Sequence, residues 1–185
     1  MNFKGMCGEQ LIENILLMHR DKGVRYVHNM LVKKSSNSIA QIDFVVLAPS
    51  AFIVLEVKNW DCKVYIDEYS NEWLCEYDGK VVYAKNPINQ NLMHLKCIYS
   101  ISDKIYLNKV VFCNNTRIVG KSGVIMTPME LISALSSNKR RYTQEDIDAE
   151  YDLLINHKLQ NYATYLNIVD TLKHGRFGKS EDILL

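Results

Sequence analysis

The chain has 185 residues, 48% of them hydrophobic and 23% charged, enough apolar material for one globular domain with a sizeable core and too much for a disordered chain. Its formal charge of +1 gives no global field to attract a polyanion, so any nucleic-acid contact has to come from local clusters of lysine and arginine. The five cysteines, at 7, 62, 75, 97 and 113, are odd in number and form no CxxC pair, which excludes a zinc ribbon and a disulfide framework.

From Gly8 to His19 the spacing predicts a helix with Leu11, Ile12, Ile15, Leu16 and Met18 on one face, and with Glu9 in the first turn, where the helix dipole favours an acid. Segments 24–32, 39–48 and 51–58 are β-rich and separated by turn signals, which predicts an antiparallel meander. The apolar run 44–55 is interrupted by Pro49 and falls short of the ~20 residues of a membrane-spanning helix, and no signal-peptide core precedes it. A soluble, cytoplasmic protein without membrane contact is the expectation.

Further strands are predicted at 63–66, 72–77 and over "KVVYA", the last two joined by a tight hairpin turn at Asp78-Gly79. Asn86 caps, and Pro87 opens, a second helix with Ile88, Leu92, Leu95 and Tyr99 on one face. Strands follow at 109–113 and 123–126, and "TPME" is a capping box opening a helix through Leu135. This order predicts an α/β fold over residues 1–140, one central mixed sheet flanked by helices. Helical patterns at 143–157, with Ile147, Tyr151 and Leu154 on a stripe, and at 159–173 predict a C-terminal helical hairpin over 141–175 packed on that domain, followed by a mobile tail at 176–185.

The chemistry-bearing stretch is "QIDFVVLAPSAFIVLEVKNW", residues 41–60. A turn at Pro49-Ser50 pairs Ala48 with Ala51, Val45 with Val54, Asp43 with Glu56 and Gln41 with Lys58, and a one-residue slip would part the two acids. Because proline does not adopt positive φ, the turn is expected to be other than the tight primed types, with a four-residue loop as the candidate. Ile42, Phe44 and Val46 should share an apolar face with Val57, Leu55 and Ile53. Facing carboxylates repel, and a divalent cation relieves that repulsion; all-oxygen ligation by Asp43, Glu56 and the Val57 carbonyl suits Mg2+ or Mn2+. Lys58 could then orient water or stabilise charge on a phosphate. The competing reading of the same residues is a structural ion-pair cluster.

With the acid of helix one, these motifs resemble the PD-(D/E)xK nuclease superfamily. More specifically, "KGMCGEQLIENIL", "SIAQIDFVVLAPSAFIVLEVKNW" and "NPINQNLMHL" resemble successive motifs of the NERD (nuclease-related domain) family, over residues 5 to about 126. The resemblance implies a restriction-endonuclease-like fold and a metal-dependent deoxyribonuclease. It makes Glu9 the helix-one acid, Asp43, Glu56 and Lys58 the central set, and Gln90 a residue that positions water or phosphate. Gln41 is the glutamine of the Gln-Ile-Asp motif, with closure of a strand hydrogen bond as its alternative role. Asp61 and Cys62 stand where the family usually has a glycine. DNA is the implied partner, and a second copy of the chain or a helicase-type DNA-processing protein are the candidate assembly partners.

Trp60 could stack on a base, with packing against the hairpin as its commoner role. Lys33, Lys34, the cluster with Arg140 and Arg141, and the basic run 173–179 could hold phosphates; a shared face with the acids would support DNA binding and scatter would weaken it. The five histidines show no paired zinc spacing, and Cys7, placed at a helix start, lacks an evident base. The alternative function is a non-catalytic nucleic-acid-binding or interaction module that keeps the fold. RNA is the less favoured substrate, since nothing in the sequence reads a 2′-hydroxyl.

Overall fold

The computed structural model describes residues 3–35 and 38–158. Its elements are α1 (Phe3–Leu17), β1 (Arg25–Ser35), β2 (Ser38–Ala48), β3 (Ala51–Lys58), β4 (Lys63–Tyr65), β5 (Glu72–Tyr77), β6 (Lys80–Lys85), α2 (Pro87–Tyr99), β7 (Tyr106–Phe112), β8 (Arg117–Val119), β9 (Ile125–Met126) and α3 (Pro128–Leu135). A further helix, α4, runs from 144 to 158. The second helix expected at 159–173, the tail and its basic run lie outside the described residues.

Five strands form a mixed central sheet in the order β1-β2-β3-β7-β9, antiparallel across β1-β2-β3 and parallel beyond. Helices cover both faces, consistent with a restriction-endonuclease-like fold. On one face Ile12, Ile15 and Leu16 of α1 and Leu131 and Leu135 of α3 pack against Phe44, Val46 and Leu55. On the other, Cys97 and Ile98 of α2 and Ile147 and Leu154 of α4 pack against Val45, Leu47, Phe52 and Val54. Burial of both faces explains the near-continuous apolar run.

The sequence anticipates one sheet, and the structure contains two. Strands β4, β5 and β6 do not join the central sheet; they form a second one, ordered β6-β5-β4-β8, in which Asp78 (φ 47°) and Gly79 (φ 70°) make the expected tight turn. The strand β8, with only three residues, carries too little pattern to be read, and it pairs in parallel with β4 at the edge of the second sheet. Trp73, fully buried, packs with Phe112 and Ile88 beneath this second sheet.

Several local expectations are corrected. Helix α1 starts at Phe3 rather than Gly8, so Glu9 and Cys7 lie inside the helix, not at its dipolar end. Gly8 is a contact rather than a start: a Cβ there would come within 2.9 Å of Asn59 Cβ, so its absence lets α1 approach the end of β3. Leu11 and Met18 are exposed, and the buried stripe runs through Ile12, Ile15, Leu16 and His19. The turn at Pro49-Ser50 has two residues, with neither in positive φ, and the Pro49 carbonyl accepts the N–H groups of Arg141 and Tyr142.

On α2 the expected cap is present, Asn86 Oδ1 accepting from Ile88 N–H at 2.9 Å, but the buried face differs. Leu92 and Tyr99 are exposed, while Asn91 and His94 are buried. Asn91 Nδ2 donates to the carbonyls of Val54 (2.8 Å) and Lys109 (3.0 Å) and to Asn108 Oδ1 (2.7 Å), fixing the helix to β3 and β7. Helices α3 and α4 follow the sequence closely, with the Thr127–Glu130 capping box and the stripe of Ile147, Tyr151 and Leu154. No helix among the described residues is long and apolar enough to cross a membrane.

Replacing Asn91 with alanine leaves buried carbonyls without a donor and opens a small cavity, each a cost of ~1–3 kcal/mol. Urea unfolding should show Asn91→Ala destabilised by ~2–4 kcal/mol, whereas Leu92→Ala, on the exposed side of the same turn, should change stability by under ~1 kcal/mol.

Candidate functional site

The paired register is Ala48 with Ala51, Val45 with Val54 and Phe44 with Leu55, as counted from the turn. Beyond Phe44 the ladder gives way to a side chain: Asp43 Oδ2 accepts the backbone N–H of Val57 at 2.8 Å. An irregularity on the neighbouring strand β1 accompanies this. Asn29, at φ 51°, interrupts β1 opposite Asp43, and the Asn29–Asp43 step is skipped between the pairs His28–Phe44 and Met30–Ile42. Met30 and Ile42 consequently pack on the α2–α4 side, so Ile42 does not share a face with Phe44 as the alternation predicts.

Glu56 closes the buried part of β3 and is only 2% exposed. Lys58, two residues on and therefore on the same face, donates to Glu56 Oε1 at 2.5 Å and to Gln90 Oε1 at 3.2 Å. Gln90 Nε2 donates to the same Glu56 oxygen at 2.7 Å. One helical turn further along α2, His94 Nδ1 lies 3.3 Å from Glu56 Oε2, outside hydrogen-bond geometry, and both atoms are buried without a formed partner. His94 did not stand out in the sequence; its place four residues after Gln90 on one helix face is the signal that could have found it.

Burial, followed by the charge of Glu56, pushes the Asp43 carboxyl up to about 7, with Glu9 adding to the push and the Val57 N–H and Lys58 opposing it. Burial drives Glu56 the same way, but the His94 imidazole and Lys58 outweigh it and hold Glu56 below its usual value. Below about pH 7 the proton of the pair thus sits on Asp43, with Glu56 ionised. Glu9 stands at the edge, its Oε2 3.1 Å from His28 Nε2, and the His28 ring stacks on Phe44 with centroids 4.3 Å apart.

Two oxygen-only side chains, a carboxyl whose proton affinity is raised by burial and by the neighbouring Glu56 charge, and a buried carboxylate oxygen without a formed hydrogen bond are a donor set that fits a hard divalent cation. Among the described residues no group of three His, Cys, Asp or Glu side chains forms a metal cluster.

The remaining candidates disperse. Gln41 Nε2 donates to Asn29 Oδ1 at 2.6 Å, a strand-to-strand closure. The Trp60 ring packs edge-on against Phe112, centroids 5.4 Å apart, within the second-sheet core. Lys33 is exposed four residues along β1 from Asn29, ~13 Å from the acids at ~3.3 Å per residue. The side chain of Lys34 lies outside the described residues. Arg140 and Arg141 are exposed beside the Pro49 turn, six residues and ~20 Å from Asp43. Lys33 thus lies toward the Ile39 end of β2 and Arg140 and Arg141 beside its Pro49 end, so these three are spread along the strands rather than gathered at the acids.

A family model described as the nuclease-related domain matches residues 4–114, more than half of the chain. An uncharacterized protein of Bacillus anthracis is 31% identical over 96 residues, covering 52% of this chain and 45% of that one. The chain thus spans less than half the length of that relative. No solved structure matches.

Asp43 binds its proton more tightly when folded than when unfolded, so the native state holds the extra proton between about pH 4 and 7, and its contribution to stability falls as pH rises through that window. In metal-free buffer Asp43→Asn, which keeps an acceptor for the Val57 N–H, should raise unfolding free energy by ~2–4 kcal/mol at pH 8 and leave it nearly unchanged at about pH 4. Urea titrations at both pH values check this; an equal change at both would contradict it.

Proposed function

The chain belongs to the nuclease-related domain family, and on that premise we propose that it is a divalent-metal-dependent endonuclease hydrolysing DNA phosphodiester bonds with metal-activated water. The observation that carries the reading is the desolvated Asp43–Glu56 pair at the open end of the β2–β3 hairpin, with Lys58 and Gln90 gathered on it. Asp43 and Glu56 would hold Mg2+ or Mn2+, with the Val57 carbonyl as a further ligand. Bound there, the ion supplies charge neutralisation, polarisation of the phosphate and an acidified water.

The chain's own residues do the rest. Gln90 braces both Glu56 and Lys58, fixing the carboxylate and directing the amine. Lys58 Nζ, so placed, can hold a proton or a hydrogen bond at a non-bridging phosphate oxygen or at the attacking water. Glu9, anchored by His28 at the edge, adds a third carboxylate within reach of the same space through water. A cleft of about 830 Å3 lined by Asn71, Lys85, Asn89, Gln90, Met93 and His94 adjoins this end of α2 and offers a strand of nucleic acid a way in. DNA rather than RNA follows the family resemblance.

The dispersal of Lys33, Arg140 and Arg141 favours two additions. One is that a second copy of the chain, or a helicase-type partner, supplies grip on the substrate. The other is the alternative reading, a non-catalytic interaction module in which Lys58 and Glu56 serve only as an ion pair.

Supercoiled and linear plasmid, single-stranded DNA and RNA, each with Mg2+, Mn2+ or EDTA, distinguish these readings. Metal-dependent DNA cleavage reduced at least ~100-fold in Lys58→Ala and Asp43→Ala, with both variants folded, is the expected result. A folded protein that cleaves none of the four with either metal favours the non-catalytic module.

A further inference from the structure

Helix α2 presents two side chains to one carboxylate. Gln90 donates to Glu56 Oε1, and His94, a turn later, brings Nδ1 to 3.3 Å from Oε2. The imidazole is only 5% exposed, and neither Nδ1 nor Oε2 has another partner. Burying a polar ring and a carboxylate oxygen face to face is costly unless they serve each other. A leucine at the same place would have filled the volume without that cost, as Leu92 and Leu95 show α2 can supply them.

We propose that His94 is a positioning residue for the metal site: a small rotation closes the 3.3 Å approach so that its Nδ1–H donates to Glu56 Oε2 and, with Gln90 on Oε1, locks the carboxylate in the orientation that receives the cation. The proposal rests on the reading of Asp43 and Glu56 as metal ligands. Because Glu56 ends a buried strand run, the backbone sets only its Cα; the two α2 donors set the carboxylate plane. Asn91, between them, anchors the helix to the Val54 carbonyl two residues before Glu56, so the clamp and its target move as one body. Partners behind a metal ligand commonly account for 10–100-fold in metal affinity.

The geometry also specifies the rescue. An asparagine places its amide nitrogen where the imidazole carries Nδ1, whereas phenylalanine keeps the ring volume and removes the donor. Mn2+ affinity, read by water-proton relaxation on the full chain without DNA, should fall ~10–100-fold in His94→Phe and stay within ~3-fold of the unaltered protein in His94→Asn. Near-ultraviolet circular dichroism should show both variants folded, and Leu95→Ala, which disturbs packing on the same helix without touching Glu56, should leave Mn2+ affinity unchanged. Unchanged affinity in His94→Phe, or equal loss in His94→Asn and Leu95→Ala, would overturn the proposal alone. Failure of the unaltered protein to bind Mn2+ would overturn it together with the metal reading beneath it.

Discussion

Two carboxyl groups taken out of water side by side are the constraint around which this chain is organised. Asp43 and Glu56 belong to the buried end of the hairpin, and neither burial nor mutual repulsion favours two charges there. The fold answers asymmetrically. Glu56 receives Lys58 and Gln90, with His94 3.3 Å from its other oxygen, while Asp43 receives one backbone N–H and its carboxyl is pushed up to about 7. On the proposed metal-binding reading, the positive charge missing beside Asp43 is what a cation would supply.

Much of the surrounding architecture serves to hold that pair. The Asn29–Asp43 interruption turns one carboxyl from the ladder toward β3, and the missing Cβ of Gly8 brings α1, with Glu9, against the strand end. Asn91 fixes α2 to β3 and β7, so that Gln90 and His94 approach Glu56 from a rigid support. The second sheet, with Trp73 and Phe112 in its core, stands beside the start of α2 and walls one side of the cleft. Precision in the site therefore comes from polar residues that secure elements, more than from Asp43 and Glu56 themselves.

The hairpin register was legible in the sequence because a two-residue side-chain period leaves only one pairing outward from Pro49-Ser50 that puts like with like. The caps at Asn86 and Thr127 and the turn at Asp78-Gly79 were legible for a similar reason, each being a local hydrogen-bonding device. What failed were inferences from apolarity alone. Apolarity places Leu92 and Tyr99 on the buried face of α2, yet Asn91 and His94 occupy it and the apolar pair is exposed. Gly8 looked like a helix boundary because its packing role depends on Asn59, far along the chain. The β4–β8 pairing at the edge of the second sheet joins distant residues, and the scatter of Lys33, Arg140 and Arg141 rests on which ends of the hairpin they occupy; neither has a local signature.

The asymmetry of the acid pair is open to direct observation by following the Asp43 side-chain carboxyl carbon by NMR through a pH titration, with and without Mg2+. The account requires titration near pH 7 in metal-free buffer and a marked downward displacement when Mg2+ is present, because the cation supplies the charge the fold withholds. Titration in the ordinary carboxylate range near 3.9, indifferent to Mg2+, would contradict it and return the cluster to a structural role.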